Sequence, residues 1–141
     1  MSNSSKKIKH IHVTCAIIEH EGLVLATQRS ATMSMPLKWE FPGGKIEPGE
    51  SRKTCLQREL LEELGIQAII RKSLPSSVYR YPSFTITLYP FLCTIEPGSI
   101  ILHEHAAMRW MPADELITLD WAEADVPVLE CYLSLFGSKA L

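Results

Sequence analysis

Three glutamates lie close together in the middle of the chain, at a spacing that suits metal binding. Glu59, Glu62 and Glu63 follow an i, i+3, i+4 pattern, which places them on one face of a helix. Like charges at this spacing repel each other, at a cost of about 0.2–0.5 kcal/mol per pair on an exposed helix. A cation among them would relieve this repulsion, and Mg²⁺ or Mn²⁺ suits carboxylate oxygens. A solvated helix face is the alternative, because glutamate is also a good helix former.

A stripe of leucines predicts the helix that carries the three glutamates. Its members have i, i+4, i+8 spacing, which places them on one side of a helix and marks that side as buried. They are Leu56, Leu60 and Leu64, with Leu61 beside them. Ser51 is a suitable N-cap residue, and Gly65 is the residue type that commonly follows a helix end. We therefore predict a helix over residues 51–64, with the glutamates and the leucines on different sides.

A longer motif surrounds this helix. From Gly44 to Ile66 the chain reads Gly, five residues, Glu, seven residues, Arg-Glu-Leu, one residue, Glu-Glu, one residue, Gly-Ile. This pattern resembles the Nudix box at each of its specified positions. The chain therefore resembles the Nudix hydrolases and, within them, the MutT-like nucleoside triphosphate pyrophosphohydrolases. Residues 37–51, 104–110 and 124–130 are also similar to the bacterial CTP pyrophosphohydrolase subgroup.

The resemblance implies metal-binding and catalytic roles for the motif. Glu59, Glu63 and the main-chain carbonyl of Gly44 match family positions that are typically metal ligands. Glu62 would complete the metal set or act as the catalytic base, since the identity of the base varies between family members. The implied cofactor is Mg²⁺, with Mn²⁺ as a second possibility.

A loop outside the motif carries a further candidate ligand. Glu104 stands where MutT-like members have an additional metal-binding glutamate, and a plain loop carboxylate is the alternative. His103 and His105 flank it, but neighbouring residues on a strand point to opposite faces. We therefore interpret both histidines as polar loop residues.

The remaining motif residues have supporting roles in this interpretation. Arg58 is expected to orient Glu59 or Glu50 through a bidentate contact. The alternative interpretation, an ion pair on the helix surface, describes nearly the same contact. Glu50 lies at the helix entrance, where a structural role fits better than metal ligation. Gly43 and Gly65 are expected to be structural.

Residues on several segments are candidates for holding a nucleotide. Arg29 stands where MutT-like enzymes have an arginine that helps hold the nucleotide. Lys45 follows the glycine pair and could contact phosphate, or could simply be solvated. Tyr79 and Tyr81 offer stacking surfaces for a base, whereas Trp39 fits core packing better.

Asp125 is the candidate for reading the base. It matches the position where the family's type enzyme has an asparagine that reads an oxidised guanine. An ionised carboxylate only accepts hydrogen bonds, so we expect a base that presents an amino group: cytosine, adenine or guanine. The structural alternative is an N-cap on the last helix.

Composition limits the class of protein. The 141 residues suffice for one domain, which we assign to residues 10–141 behind a flexible tail at residues 1–9. The net charge of −2 gives no general basic surface for polymeric nucleic acid. Four cysteines without a C-x-x-C pair predict buried free thiols and a cytoplasmic location. No apolar run approaches 18 residues, so we expect no membrane partner.

The order of segments predicts an α/β fold with a mixed sheet. Strands are expected at residues 10–19, 23–29, 66–71, 78–81, 84–93 and 105–111, with a short extended piece at 39–41. A short helix is expected from residue 112 and a last helix over residues 125–136. These elements imply helices on both faces of the sheet. The resemblance implies the same, a Nudix-type α/β/α sandwich with a loop-helix-loop catalytic motif.

The expected activity is Mg²⁺-dependent hydrolysis of a nucleoside triphosphate to the monophosphate and pyrophosphate, in nucleotide-pool sanitation. A modified nucleotide such as 8-oxo-dGTP, or CTP or dCTP, is the expected substrate, and a monomer or homodimer the expected assembly. The alternative substrates are ADP-ribose and dinucleoside polyphosphates. ADP-ribose is considered because Pro82 lies 16 residues beyond the box, where ADP-ribose hydrolases of the family often have a proline. A non-catalytic nucleotide-binding module is a third reading, which the intact box disfavours.

Overall fold

The computed structural model describes residues 9–96 and 98–136. Within them the strands and helices follow in this order: β1 (Lys9–His20), β2 (Leu23–Gln28), β3 (Trp39–Glu40), β4 (Gly43–Lys45), α1 (Arg52–Leu64), β5 (Ala68–Ser73), β6 (Ser77–Arg80), β7 (Phe84–Ile95), β8 (Ala107–Met111) and α2 (Val126–Phe136). The expected tail at residues 1–9 lies outside the described residues except for Lys9, which already pairs with Phe84 in the sheet.

The sheet is mixed, as the sequence predicts, and β1 is at its centre. β1 runs parallel to β7 along ten paired residues, from Lys9 opposite Phe84 to Ile18 opposite Cys93. Its other edge pairs antiparallel with β4 in its middle, from Val13 to Cys15, and with β2 at its end. The path β3-β2-β1-β7-β5 is completed by β8 on β2 and β6 on β7. Because β1 is paired on both edges, it can hold the motif strand β4 in a fixed position.

Helices cover the two faces of β1, so its interior is buried on both sides. Cys15 and Ile17 belong to the apolar cluster that includes Val128 and Tyr132 of α2. Ala16 and Ile18, on the opposite face, pack in the cluster that contains the leucines of α1. A strand covered on both faces has a continuous apolar run, which here spans residues 15–18. The predicted arrangement of helices on both faces is confirmed.

The helix of the motif forms largely as its sequence predicts. The Oγ atom of Ser51 accepts a hydrogen bond from the main-chain N–H of Thr54, and Gly65 ends the helix in the left-handed conformation with φ of 68°. The side chains of Leu56, Leu60 and Leu64 are fully buried. Leu61 does not belong to this stripe, because it is 53% exposed on the outer side of the helix.

The second half of the chain differs from the predictions in detail. The short helix is a 3-10 helix at Ala113–Thr118, and a second 3-10 turn, Glu123–Asp125, precedes α2. The predicted strand at residues 105–111 begins only at Ala107, because His105 is turned into the interior. No helix among the described residues is long and apolar enough to cross a membrane.

Candidate active site

The glycine pair of β4 lets α1 approach the sheet closely. A Cβ atom on Gly43 would lie 1.9 Å from the carbonyl oxygen of Thr14 on the neighbouring strand. A Cβ atom on Gly44 would lie 2.1 Å from the carboxyl carbon of Glu59. Real Cβ contacts are essentially never this short, so only glycine fits at position 43, against the main chain, and any larger residue at position 44 would displace the Glu59 side chain. The carboxylate of Glu59 therefore rests directly against the main chain of β4.

Two polar side chains surround the main-chain carbonyl of Gly44. The hydroxyl of Thr14 donates a hydrogen bond to it at 3.4 Å. The thiol of Cys55 contacts the same oxygen at 3.6 Å and the Lys45 carbonyl at 3.3 Å. Cys55 is a buried free thiol, as are Cys15 and Cys93. These contacts orient the carbonyl that the family pattern designates as a metal ligand.

Arg58 connects the acidic side chains of the motif. Its Nε and Nη2 atoms donate to the two carboxylate oxygens of Glu50, at 2.6 Å and 3.0 Å. Its Nη1 atom donates to Glu59 at 3.0 Å and to Glu62 at 3.3 Å. The Arg58 guanidinium, together with the main-chain amide of Glu47, lowers the pKa of Glu50 to about 2. Glu50 is therefore ionised at neutral pH and fully engaged in holding Arg58.

Glu63 is an acidic side chain of the site with a buried, unsatisfied oxygen. Its Oε1 atom is buried and has no hydrogen-bond partner among the described residues. Burial raises the pKa of Glu63 to about 9, and repulsion from Glu59, Glu40 and Glu104 adds to the effect, while a hydrogen bond from the Gly43 main chain opposes it. A buried carboxylate of this kind is costly unless a cation compensates its charge. The pKa of Glu59 is raised as well, first by burial.

These donors fit a hydrated divalent cation better than a preformed ligand cage. Among residues 9–96 and 98–136, no three acidic, histidine or cysteine side chains already form a ligand cluster. Mg²⁺ does not require one, because it keeps several waters and needs only one or two carboxylates. Glu63 and Glu59 can supply these carboxylates, and the exposed Glu104 lies near enough to raise the pKa of both. The partnerless oxygen of Glu63 supports this fit.

A cavity of about 420 Å³ opens beside the carboxylates, on the α2 side of β1. Glu63, Gly44, Lys45 and Asp125 all line it. Much of the remaining wall is apolar and consists of Met33, Met35, Tyr81, Phe84, Ile86 and Leu88. Such a combination of apolar walls and a few polar groups is typical of sites for small ligands. The cavity brings the predicted chemistry and the predicted base-reading residue together.

Asp125 is buried in the wall of this cavity, with 7% of its surface exposed. Its Oδ2 atom accepts a hydrogen bond from the main-chain N–H of Phe41 at 3.0 Å. Burial, followed by repulsion from Glu40, raises the pKa of Asp125 to about 8. The side chain is therefore mainly protonated at pH 7 and can donate as well as accept, which differs from the ionised, accept-only group that we expected. Its hydrogen-bond donor is the Phe41 amide and not an amide of α2, so the N-cap alternative is not supported.

The arginine and the lysine predicted to hold the nucleotide both line the cavity. The guanidinium of Arg29 is already engaged: Nε donates to the Ser34 carbonyl at 2.6 Å, Nη2 to the Ser34 hydroxyl at 2.9 Å and Nη1 to Glu40 at 2.7 Å. These bonds tie the loop that bears Met33 and Met35 to β3. Lys45 is exposed, so its ammonium group is accessible from solvent.

Tyr81 rather than Tyr79 contributes to the cavity in the described part of the chain. The Tyr81 hydroxyl accepts from the Ala124 main-chain N–H at 3.1 Å and donates to the sulfur of Met35 at 3.4 Å. Tyr79 packs behind it, with 4.8 Å between the ring centroids. Tyr79 and Tyr81 are two positions apart, so strand alternation would place them on the same face of the sheet. Tyr81 lies just beyond the end of β6, however, so that alternation does not fix the direction of its side chain. Trp39 is 7% exposed in the core, as the sequence predicts.

Sequence reasoning missed two residues, Glu40 and His105. The side chain of His105 is fully buried, and its Nε2 atom lies 2.8 Å from Oε2 of Glu40. His105 lies in a loop, as interpreted, but the structure buries it and pairs it with Glu40. The only sequence signal for Glu40 is a charged residue between two aromatic ones in an otherwise buried segment.

Comparison with known proteins identifies the family of this chain. A family model described as the NUDIX domain matches residues 8–131. The chain therefore belongs to the Nudix family, whose members are typically dependent on a divalent metal ion. It is similar to the CTP pyrophosphohydrolase of Escherichia coli strain K12, with 38% identity over 94% of this chain and 98% of the relative.

Two further proteins extend the comparison. The 8-oxo-dGTP diphosphatase of Escherichia coli strain K12 is 33% identical over 86% of this chain and 95% of the relative. The solution structure of the Escherichia coli ORF135 protein superimposes with a TM-score of 0.79 at 35% identity, covering 100% of both chains. The similarity thus extends well beyond the motif to the segments that build the cavity.

Proposed function

We propose that this protein is a Mg²⁺-dependent nucleoside triphosphate pyrophosphohydrolase that releases a nucleoside monophosphate and pyrophosphate. The observation that carries the proposal is the position of Glu63, which has a buried, partnerless oxygen and lines the same cavity as Asp125. A nucleotide in this cavity would have its phosphates beside the carboxylates and its base beside Asp125. Mn²⁺ is expected to substitute for Mg²⁺, because both prefer oxygen ligands.

The residues of the motif have distinct tasks in this reaction. Glu59, Glu63 and the carbonyl of Gly44 would hold the cation, with Glu104 as an additional ligand. When bound, Mg²⁺ supplies charge neutralisation for the phosphate chain and Lewis-acid activation of water. Arg58 keeps Glu59 and Glu62 in place through its Nη1 atom.

Glu62 is our candidate for the catalytic base. Its side chain is 59% exposed, so it is accessible to water and keeps an ordinary solvation shell. Contact with Arg58 leaves it held at the edge of the carboxylate face, where an attacking water would enter. Lys45, which also lines the cavity, would bind a phosphate oxygen there.

The proposed substrates are CTP or dCTP and oxidised deoxynucleotides such as 8-oxo-dGTP. A protonated Asp125 offers one donor and one acceptor, which complements a base edge that presents an acceptor beside an amino group or an N–H. The names of the two bacterial relatives point to the same substrates. Removal of damaged or surplus nucleotides is the biological role that we propose, in the cytoplasm and by a monomer or homodimer.

A substrate panel with product identification tests this proposal. It contains 8-oxo-dGTP, dCTP, CTP, 5-methyl-dCTP, ADP-ribose and diadenosine tetraphosphate, each incubated with Mg²⁺ and with a chelator. We expect monophosphate and pyrophosphate from at least one triphosphate, only in the presence of the metal ion. Release of orthophosphate, or turnover restricted to ADP-ribose or the dinucleoside polyphosphate, would refute the proposal in favour of another Nudix activity.

A further inference from the structure

His105 is buried although both of its neighbours are exposed. The side chain has no solvent-accessible surface, whereas Glu104 and Ala106 face solvent. Burying an imidazole is unfavourable unless its nitrogens find partners. One of them, Nε2, contacts Oε2 of Glu40 at 2.8 Å, while Nδ1 has no partner among the described residues. The loop is therefore folded inward at this residue for a contact with Glu40.

Glu40 uses both carboxylate oxygens to connect separate segments. Oε1 accepts from Arg29 and Oε2 contacts His105, so the carboxylate lies between β2 and the loop that precedes β8. The carbonyl of Glu40 accepts a hydrogen bond from the Thr27 hydroxyl at 3.0 Å, which fixes β3 to β2. The next residue, Phe41, donates its main-chain N–H to Asp125. Glu40 is thus a rigid anchor in the wall of the cavity.

The loop around Glu104 is also held by its main chain. The N–H of His103 donates to the carbonyl of Glu63 at 3.1 Å, and the N–H of Ala106 donates to the carbonyl of Gln28 at 2.8 Å. Glu104 lies between these two attachment points, directly after the residue whose N–H is bonded to the main chain of Glu63. The side chain of His105 adds the third attachment, on the side of the loop that faces the cavity wall.

We propose that His105 is a positioning residue, which holds the loop against Glu40 so that Glu104 stays beside Glu59 and Glu63. His105 itself contacts neither the metal nor the substrate in this proposal. Its loss would let Glu104 move away and would weaken metal binding without changing the base-reading wall. This inference rests on the proposed function, because it assigns Glu104 to the metal site.

The experiment compares His105→Leu, which removes the hydrogen bond, with His105→Gln, which retains an N–H donor. The free enzyme is titrated with Mn²⁺ and bound metal is measured by electron paramagnetic resonance, and kcat and KM are measured with Mg²⁺. For His105→Leu we expect about 10–100-fold weaker Mn²⁺ binding, a fall in kcat of the same order and a KM that is much less affected, as for other residues that orient ligands. For His105→Gln we expect values close to those of the wild type.

His103→Leu is the matched control, since it makes the same substitution in an exposed residue of the same loop. It should leave Mn²⁺ binding unchanged. In a Glu104→Gln background, His105→Leu should have no further effect on Mn²⁺ binding, because the group that it positions has already lost its charge. If His105→Leu is too unstable to fold, His105→Ala can replace it in both backgrounds, because alanine also removes the hydrogen bond.

The outcomes separate this proposal from the proposed function. Either of two results would overturn the positioning role. The first is unchanged Mn²⁺ binding in folded His105→Leu. The second is a loss of Mn²⁺ affinity on His105→Leu that is equally large with and without the Glu104→Gln substitution. A wild-type enzyme that binds Mn²⁺ but hydrolyses no triphosphate would instead refute the proposed function, while the Mn²⁺ titrations would still decide on His105.

Discussion

The two faces of the central strand differ in how far apart in sequence their interacting residues lie. On the α1 side, Arg58 contacts Glu59, Glu62 and Glu50, which are 1, 4 and 8 residues away. On the α2 side, the bond from Phe41 to Asp125 spans 84 residues. Local contacts can be specified by one helix and its caps, whereas distant contacts require the complete sheet. The carboxylate face is therefore a local product of the sequence, and the cavity is a product of the fold.

The largest effect should come from the carboxylate face. Glu63→Gln removes a charge that the metal ion needs, and we expect kcat to fall by about 10²–10⁴-fold. Because the pKa of Glu63 is raised to about 9, the metal-free wild type already carries a neutral side chain here at pH 7, so its stability should be close to that of Glu63→Gln. Steady-state kinetics and thermal unfolding measure the two effects.

Glu130→Gln is the control for this change, because it neutralises an exposed glutamate on α2. It should leave both quantities unchanged. Near-normal Mg²⁺-dependent turnover of Glu63→Gln, or of Glu62→Gln, would mean that the carboxylate face is not where the reaction takes place.

A smaller effect is expected where α1 meets β4. In Gly44→Ala the new methyl group would lie 2.1 Å from the carboxyl carbon of Glu59, so Glu59 must move. We expect about 10–100-fold weaker metal binding and a similar loss of kcat, the range found when ligand orientation is disturbed. Titration with Mn²⁺ measures the first quantity. Gly98→Ala is the control, because its Cβ would meet nothing closer than 4.0 Å; equal effects of the two substitutions would contradict the close approach.

On the cavity side the expected effect concerns selectivity and pH. The folded state raises the pKa of Asp125 to about 8, so protonation of this group stabilises the folded protein. That stabilisation is fully present below the ordinary carboxyl pKa and is lost as the pH rises through about 8. The KM of the wild type should rise by about tenfold between pH 6 and pH 9, as the donor is lost. Asp125→Asn keeps a donor at all pH values, so its KM and its stability should depend less on pH.

The same variant tests base reading directly. Asp125→Asn should change the order of preference within the substrate panel, whereas Asp114→Asn, at an exposed position, should not. An unchanged order together with an unchanged pH profile would reduce Asp125 to a structural contact of Phe41.

The smallest effect on chemistry is expected from the leucines of α1, which test how well the helix was predicted. Leu60→Ala should lower the free energy of unfolding by about 2–5 kcal/mol, because Leu60 is fully buried. Leu61→Ala should change it by less than about 0.5 kcal/mol, because Leu61 is 53% exposed. Chemical denaturation measures both values. Equal losses would place Leu61 in the core, as its sequence neighbourhood had indicated.

Helix periodicity explains why α1 was predicted well and Leu61 was not. The buried stripe and the two caps depend on residues within the helix, so the sequence pattern contains them. Leu61 follows Leu60 by one position and therefore points about 100° away from it, and only the packing on the sheet shows on which side the core ends. The distinction between Tyr79 and Tyr81 was missed for a similar reason, because the chain leaves the strand before Tyr81.

Glu40 and His105 show a different limit of sequence reasoning. Their contact joins residues 65 positions apart, and neither residue has a periodic or motif context that predicts a partner. Arg29 was expected to help hold the nucleotide, and its additional bond to the same carboxylate depends on β2 and β3 pairing side by side. Such contacts follow from strand order, which a single sequence does not specify.

The sequence alone determined the family, the helix, the acidic residues and the glycines that allow them to approach the sheet, because all of these lie within one continuous stretch. Only the tertiary structure decided the state of these groups. It buries Glu63 and Asp125, which raises the pKa values of both carboxyl groups, and it brings Asp125 to the cavity that Glu63 lines. The physical reason is that a residue type follows from the chain, whereas its solvation and its charged neighbours follow from the folded surroundings.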